Sequence, residues 1–257
     1  MKLTDTHCHL FLPEFDTDRA ETIRRALDSE VTRIFLPNVD SGTTEQLLGL
    51  ANTYPAYCFP MMGLHPTSVE EDYRQELDHV ADWLAKRHFY GIGEIGIDLY
   101  HDQTFKSEQE DAFITQIRWA GELNLPVVIH TRNSFHETIR LLDRARVDNL
   151  TGIFHCFTGS SDEANEVINR KFYLGIGGVL TFKNSGLAEV VSRIDPKHLV
   201  LETDAPYLTP APKRGKRNEP SYLRYTAKKL AEITGVPFQQ IAEITTANSL
   251  KIFNITE

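Results

Sequence analysis

Short apolar runs alternate with amphipathic stretches along the whole chain, and this rhythm constrains the fold more than any other feature. The apolar runs predict eight strands, at Lys2–His9, Thr32–Val39, Tyr57–His65, Tyr90–Asp98, Pro126–Thr131, Thr151–Cys156, Phe172–Gly177 and His198–Asp204. Helical spacing between them predicts helices over Arg19–Leu27, Thr44–Ala51, Leu77–Lys86, Ser107–Leu123, His136–Arg144, Asp162–Asn169 and Gly186–Arg193. In the strongest, Phe113, Ile117 and Ala120 share one face, and Ser107 with Glu110 forms a Ser-x-x-Glu pattern expected to cap it. Two further helices, Ser221–Thr234 and Pro237–Phe253, close the chain. Regular β-then-α order implies parallel strands joined by right-handed crossovers. Eight such units in 257 residues favour a closed α/β architecture, the (β/α)8 TIM barrel with extra C-terminal helices, over an open doubly wound sheet. With no repeat, low-complexity segment or linker, one domain over residues 1–257 is expected.

Polar residues fall on these strands in a pattern that packing alone does not explain. Asp5, His7 and His9 occupy alternate positions, so on a strand all three project from one face. In a small barrel that face is the interior, where unpaired polar groups are costly. Glu94 falls late in the fourth strand, His65 ends the third, His130 the fifth and His155 the sixth, while Asp204 closes the eighth with Glu202 two residues earlier. Strand ends form the catalytic rim of this fold. Imidazoles and carboxylates converging there suit divalent metals, and the set is larger than one ion needs. Strand-end histidines can also serve as backbone hydrogen-bond partners, but so many buried polar groups without metal would need a large compensating network. Cys8 alternates away from His7 and His9 and is expected to pack against a helix. His79, His88, His136 and His198 read as surface or capping residues, and His101 either faces the site or is a plain loop residue.

Other readings are excluded. Gly91 to Gly96 fits the letters of a dinucleotide fingerprint, yet Glu94 would aim negative charge at a pyrophosphate and no helix follows at once. A net charge of −9 argues against sequence-independent gripping of long duplexes. The three cysteines, Cys8, Cys58 and Cys156, show no CxxC spacing and read as reduced thiols. There is no run of about 18 apolar residues, and Met1–Asp5 lacks the apolar stretch of a signal peptide. A cytoplasmic protein that needs no membrane is expected; no protein partner can be inferred.

The phrases Asp5-Thr-His-Cys-His9, Gly63-Leu-His-Pro66, Gly93-Glu-Ile-Gly-Ile-Asp98, Val128-Ile-His-Thr-Arg132, His155-Cys-Phe-Thr-Gly159, Glu202-Thr-Asp-Ala-Pro-Tyr207 and Arg217-Asn-Glu-Pro220 resemble, in order, the signature blocks of TatD-type metal-dependent deoxyribonucleases of the amidohydrolase superfamily. The resemblance implies that His7, His9, Glu94 and Asp204 hold one divalent metal and Glu94, His130 and His155 a second, with Glu94 bridging. It implies that His65 and Arg132 face the substrate phosphate, that Asp204 orients or deprotonates the attacking water, and that Glu202 assists or fixes a neighbouring ligand. Asn133-Ser134 stands where the family leads us to expect an Asp-Ala pair. Histidine ligands favour zinc, manganese or nickel, while the family's nucleases imply magnesium as well. The implied substrate is the end of a single DNA strand, digested 3′ to 5′. Two alternatives share the fold and metals: hydrolysis of a small ester, lactone or amide, and deacylation of a D-aminoacyl-tRNA. Lys213, Arg214, Lys216 and Arg217, on the loop that opens off Asp204, are expected to meet flanking phosphates.

Overall fold

The computed structural model describes residues 2–256. Eight parallel strands alternate with helices: β1 (Leu3–Asp5), α1 (Arg19–Asp28), β2 (Val31–Leu36), α2 (Ser41–Thr53), β3 (Cys58–Pro60), α3 (Tyr73–Lys86), β4 (Ile92–Asp98), α4 (Lys106–Leu123), β5 (Val127–Arg132), α5 (Phe135–Ala145), β6 (Gly152–Phe154), α6 (Ser161–Asn169), β7 (Tyr173–Ile176), α7 (Leu187–Val191) and β8 (Leu199–Leu201). Two more helices, α8 (Leu223–Thr234) and α9 (Phe238–Ile252), follow. The strands form two ladders, β1-β2-β3 and β4 through β8. Single parallel bridges join them on both sides, Met62 to Ile92 and Cys8 to Ala205, completing the (β/α)8 ring. Among the described residues no helix is long and apolar enough to cross a membrane.

Most strands are shorter than their apolar runs. Past Asp5 the chain stops pairing with one neighbour and bonds to both: Thr6 N–H donates to Leu201, Cys8 N–H to Phe35 and His9 N–H to Ala205. The expected cap of α4 is absent, because the helix begins one residue early at Lys106. Its N-cap, Phe105, makes no side-chain bond, so Ser107 lies inside the first turn and its hydroxyl reaches Glu108. Phe113, Ile117 and Ala120 are buried as expected.

Strand parity divides the apolar residues into two clusters. Outward residues such as Ile34, Leu36, Val127, Ile129 and Phe154 pack under the helices. Phe35, Met61, Val128, Ile153 and Val200, which alternate with them, form a separate cluster with Phe59 and with Ile252 and Phe253. This second cluster fills the lower barrel. The Phe253 ring stacks on Phe35, centroids 3.7 Å apart, so the end of α9 plugs the floor.

Candidate metal and active site

The same inward faces that carry the apolar floor carry polar groups one step higher. Val128 is followed two residues later by His130, Ile153 by His155, Met61 by Gly63 and His65, and Val200 by Glu202 and Asp204. At the centre lies Glu94, third in β4 rather than late in it, because β4 runs on to Asp98. The pairing of β4 with β5 shifts register between Ile92 and Ile95, and such an irregularity re-aims the side chains within it.

Two half-sites meet at the Glu94 carboxylate. Oε2 lies 3.0 Å from His7 Nε2 and 3.5 Å from His9 Nε2. Oε1 lies 2.9 Å from His130 Nδ1, 3.4 Å from His65 Nε2 and 3.9 Å from His155 Nε2. Asp204 Oδ1 stands on the first side, 3.5 Å from His9 Nε2, 3.7 Å from His155 Nε2 and 3.8 Å from His7 Nε2. His155 also stacks on His7, centroids 3.4 Å apart, and so leans toward His7 and Asp204 rather than grouping with His130. His65, expected against substrate, groups instead with Glu94 and His130.

The donor chemistry fits metal. His7 Nε2 and His9 Nε2 face each other at 3.1 Å, while the buried Nδ1 atoms of both find no hydrogen-bond partner among the described residues. Burial opposes the His9 imidazolium, but Asp204 and Glu94 outweigh it and lift His9 to about 9. Burial opposes His155 too, and Glu202, Glu94 and Asp204 lift it to about 10. His7 is driven down to about 4 by burial and by His155. Burial would raise the Glu94 carboxyl, yet the surrounding imidazoles hold it well below the ordinary range. Buried carboxylates that drive His9 and His155 to keep protons call for positive charge, which divalent cations with nitrogen and oxygen ligands supply.

Around this cluster sits a supporting shell, part of which sequence reasoning missed. Asp98, fully buried, accepts from His130 Nε2 at 3.0 Å and from His101 at 2.9 Å. Its signal was available, since positions 94, 96 and 98 share one strand face. Glu202 lies behind His155 and does not line the cavity: Oε1 is 3.1 Å from His155 Nδ1 and accepts the Cys156 N–H at 2.5 Å. Asp5, expected on one face with His7 and His9, pairs instead in register with the outward Ile34 and stands outside the cluster. It accepts from Thr203 N–H, the Thr203 hydroxyl and His7 N–H, tying the histidine limb to Asp204. Burial pushes its carboxyl up to about 8. Cys8 turns away into the core, donating to the Ala205 carbonyl. His88 and His136 are exposed and His198 half-buried, while His79 meets the Thr44 hydroxyl. Above the cluster opens a cavity of about 620 Å³, lined among others by His101, Arg132, Thr158 and Tyr207.

Residues 4–254 match the family described as TatD related DNase. The chain belongs to that family. A metal-dependent hydrolase of Bacillus subtilis, YabD, is 39% identical over 98% of this chain and 99% of its own length. The protein named 3'-5' ssDNA/RNA exonuclease TatD from Citrobacter rodentium is 35% identical, covering 98% of both. Among solved structures, the Escherichia coli TatD homolog YJJV superposes with a TM-score of 0.93 at 28% identity, over 99% of this chain and 98% of that one. The chain is a metal-dependent hydrolase of the TatD family.

Asn133-Ser134 is a sound substitute where an Asp-Ala pair was expected. Asn133 takes a left-handed conformation (φ 54°) that asparagine tolerates well, and the Ser134 hydroxyl donates to Ile97 O and accepts the Arg132 N–H. The basic loop, by contrast, does not face the site. None of its four cations lines the cavity. Arg217 is taken by Asp18, with both Nη atoms 2.8 Å from its oxygens. Lys213 lies over the Tyr222 and Tyr225 rings and Arg214 over Phe182. Lys216 borders a separate surface pocket with Asp18 and Arg25. Sequence placed these charges near Asp204 along the chain, but the carboxylate that takes Arg217 is Asp18, the N-cap of α1, 199 positions away.

Proposed function

We propose that this protein is a phosphodiesterase acting on the ends of single-stranded DNA, 3′ to 5′, with the chain working as one domain over residues 1–257. The observation that carries the reading is the Glu94 carboxylate, whose two oxygens face separate groups of imidazoles. His7, His9, Glu94 and Asp204 would hold one divalent cation and Glu94, His130 and His155 the other, with His155 set between the halves. An imidazole-rich set favours zinc, manganese or nickel over magnesium. Bound cations would act as Lewis acids, acidifying water and neutralising charge on the phosphoryl oxygens.

The chain's own residues do the rest. Asp204 borders the cavity with its side chain 15% exposed, and takes the proton of the attacking water. Arg132 is the one arginine or lysine lining the cavity among the described residues, and binds the phosphate. Its guanidinium rests 4.8 Å from the Tyr100 ring centroid, which fixes it over the opening. His65 lines the cavity with Nε2 turned to Glu94 Oε1 at 3.4 Å, and its Nδ1 is engaged by Thr67. Glu202 acts through His155 as a positioning residue. Curated relatives of the Citrobacter type carry a nuclease name, which supports the substrate class. The test is turnover by metal-reconstituted protein on linear and circular single strands beside a panel of small esters and a D-aminoacyl-tRNA. Cleavage of the linear strand alone is expected. Preference for an ester or for the charged tRNA overturns the reading in favour of the corresponding alternative.

A further inference from the structure

The cavity above the cluster has an apolar margin that hydrolysis of a phosphodiester does not require. Leu12, Tyr207 and Leu208 line its side nearest His9 and Asp204. Three large hydrophobic side chains are prominently exposed among the described residues; of these Tyr207 lines the cavity, and Tyr100 stands against Arg132, which also lines it. Tyr100 has one face occupied by Arg132. Tyr207 is 51% exposed, its ring 6.3 Å from the His9 ring.

The exposure of Tyr207 does not come from a loose loop. Its N–H donates to Asp204 O at 2.8 Å, and its carbonyl accepts from Asn218 Nδ2 at 2.6 Å. The same Asn218 amide donates to Thr203 O, and the Asn218 N–H to Pro206 O. Next to it, Leu208 is held at φ 52°, a region a leucine rarely enters. A β-carbon at Gly178 would stand 2.1 Å from the Leu208 carbonyl oxygen, so the segment is pressed against its neighbour. Strain kept in place by such packing clusters at working sites. Here it turns an apolar pair toward the cavity.

We propose that Tyr207, with Leu12 and Leu208, is a stacking seat for an unpaired nucleobase of the strand whose phosphate lies at the metal cluster. The inference rests on the nuclease reading and extends it to how the strand is gripped. Electrostatics leaves room for it: the chain carries −9 overall, the cavity has a single arginine among the described residues, and three of the four basic-loop cations are engaged by Asp18 or by aromatic rings while Lys216 borders a separate pocket. A polyanion that gains little from phosphate contacts must be held by something else. Stacking on an aromatic face needs no positive field and accepts any base. It does need the base unpaired, which a duplex end denies. The seat therefore selects single strands through the base rather than through charge.

The experiment compares wild type, Tyr207→Ala and Tyr207→Trp, metal-reconstituted and with metal content measured. Substrates are a linear single strand and matched strands carrying an abasic nucleotide at the last or the next-to-last 3′ position. Tyr207→Ala should raise KM for the intact strand roughly 5- to 150-fold, the scale of one lost base stack, with little change in kcat. Tyr207→Trp should preserve KM. On one of the abasic strands wild type should already show the raised KM, and Tyr207→Ala should add nothing further. Equal penalties from Tyr207→Ala on intact and abasic strands, or none on the intact strand, overturn the seat. If wild type with full metal cleaves no strand but hydrolyses an ester, the nuclease reading itself has failed and the seat falls with it.

Discussion

Replacing Arg217 with alanine cuts the strap that ties the loop after β8 to the first helix. The guanidinium makes a bidentate pair with Asp18, donates to the Glu14 carbonyl and lies 4.3 Å from the Phe15 ring centroid. A hydrogen bond to a charged partner contributes about 1.5–3 kcal/mol. The two side chains are 27% and 31% exposed, so solvent screening pulls this toward the roughly 0.2–1 kcal/mol of a surface pair. The stacked ring adds about 0.5–1 kcal/mol. Asp18 keeps Arg25 at 2.9 Å and is not stranded. The expected loss is about 1–2 kcal/mol, which at an unfolding entropy of about 2.1 cal/mol/K per residue lowers Tm by about 2–4 °C. Arg217, and after it Arg25, holds the Asp18 carboxyl below its ordinary 3.8. A depressed carboxyl stabilises the fold above its unfolded value and stops doing so as pH falls through its folded one. The Tm gap between wild type and Arg217→Ala should therefore be constant from about pH 7 to 5 and narrow only below about 4, where Asp18 begins to protonate in the unfolded chain. Calorimetry across that range, with the salt dependence of KM for an oligonucleotide measured in parallel, decides the matter. An unchanged Tm with a flattened salt dependence would put the guanidinium on substrate phosphate and refute the structural reading.

Glu94→Ala should empty both metal positions in elemental analysis, because both imidazole groups face this one carboxylate, whereas His130→Ala should retain about one equivalent; a Glu94→Ala protein that keeps one ion would contradict bridging. Asp204→Asn, with metal content checked, should lower kcat by about 10²–10⁴ and leave KM near wild type; a normal kcat with raised KM would make Asp204 a binding residue. Gly175→Ala would set a β-carbon 2.2 Å from Glu202 Oε2, against a carboxylate pinned by the Cys156 N–H. We expect about 1–3 kcal/mol of destabilisation and about 10- to 100-fold weaker metal binding through a misplaced His155; wild-type values for both would show that Glu202 moves freely.

What the sequence made legible follows strand parity. Eight strands in the right order came from alternation alone, and His7, His9, Glu94, His130, His155 and Asp204 meet because each lies on an inward face. What it hid depends on distance through space. Asp98 shares the strand parity of Glu94, but that His130 on the next strand would turn Nε2 toward it shows only in the fold. The tie between Asp5 and Thr203 joins the two ends of the barrel across 198 positions. Charge counting misjudged Lys213 to Arg217 for the same reason, since Asp18, Phe182 and Tyr225 enter only when the chain has folded. Strand boundaries were overlong where residues such as His9 bond to the backbone of a neighbour without joining a ladder.

The filled lower barrel bears on which part of a strand the site can take. Phe35, Met61, Val128, Ile153 and Val200 are wholly buried beneath the metal-type cluster, and Phe253 closes the floor below them. Above this floor the cavity is blind, so anything that enters its depth leaves by the same mouth. An internal stretch of strand would have to fold back on itself to reach Glu94, ordering both arms, and each ordered residue or nucleotide adds an entropic cost. A terminus enters with one arm only. The apolar floor also keeps the local dielectric low; burial itself opposes the His9 and His155 imidazoliums, but it strengthens the pull of the carboxylates that lift them, and cations bound there would act strongly on a phosphate for the same reason. The plug at the floor thus serves stability and also makes a strand end the substrate that fits the site with least ordering.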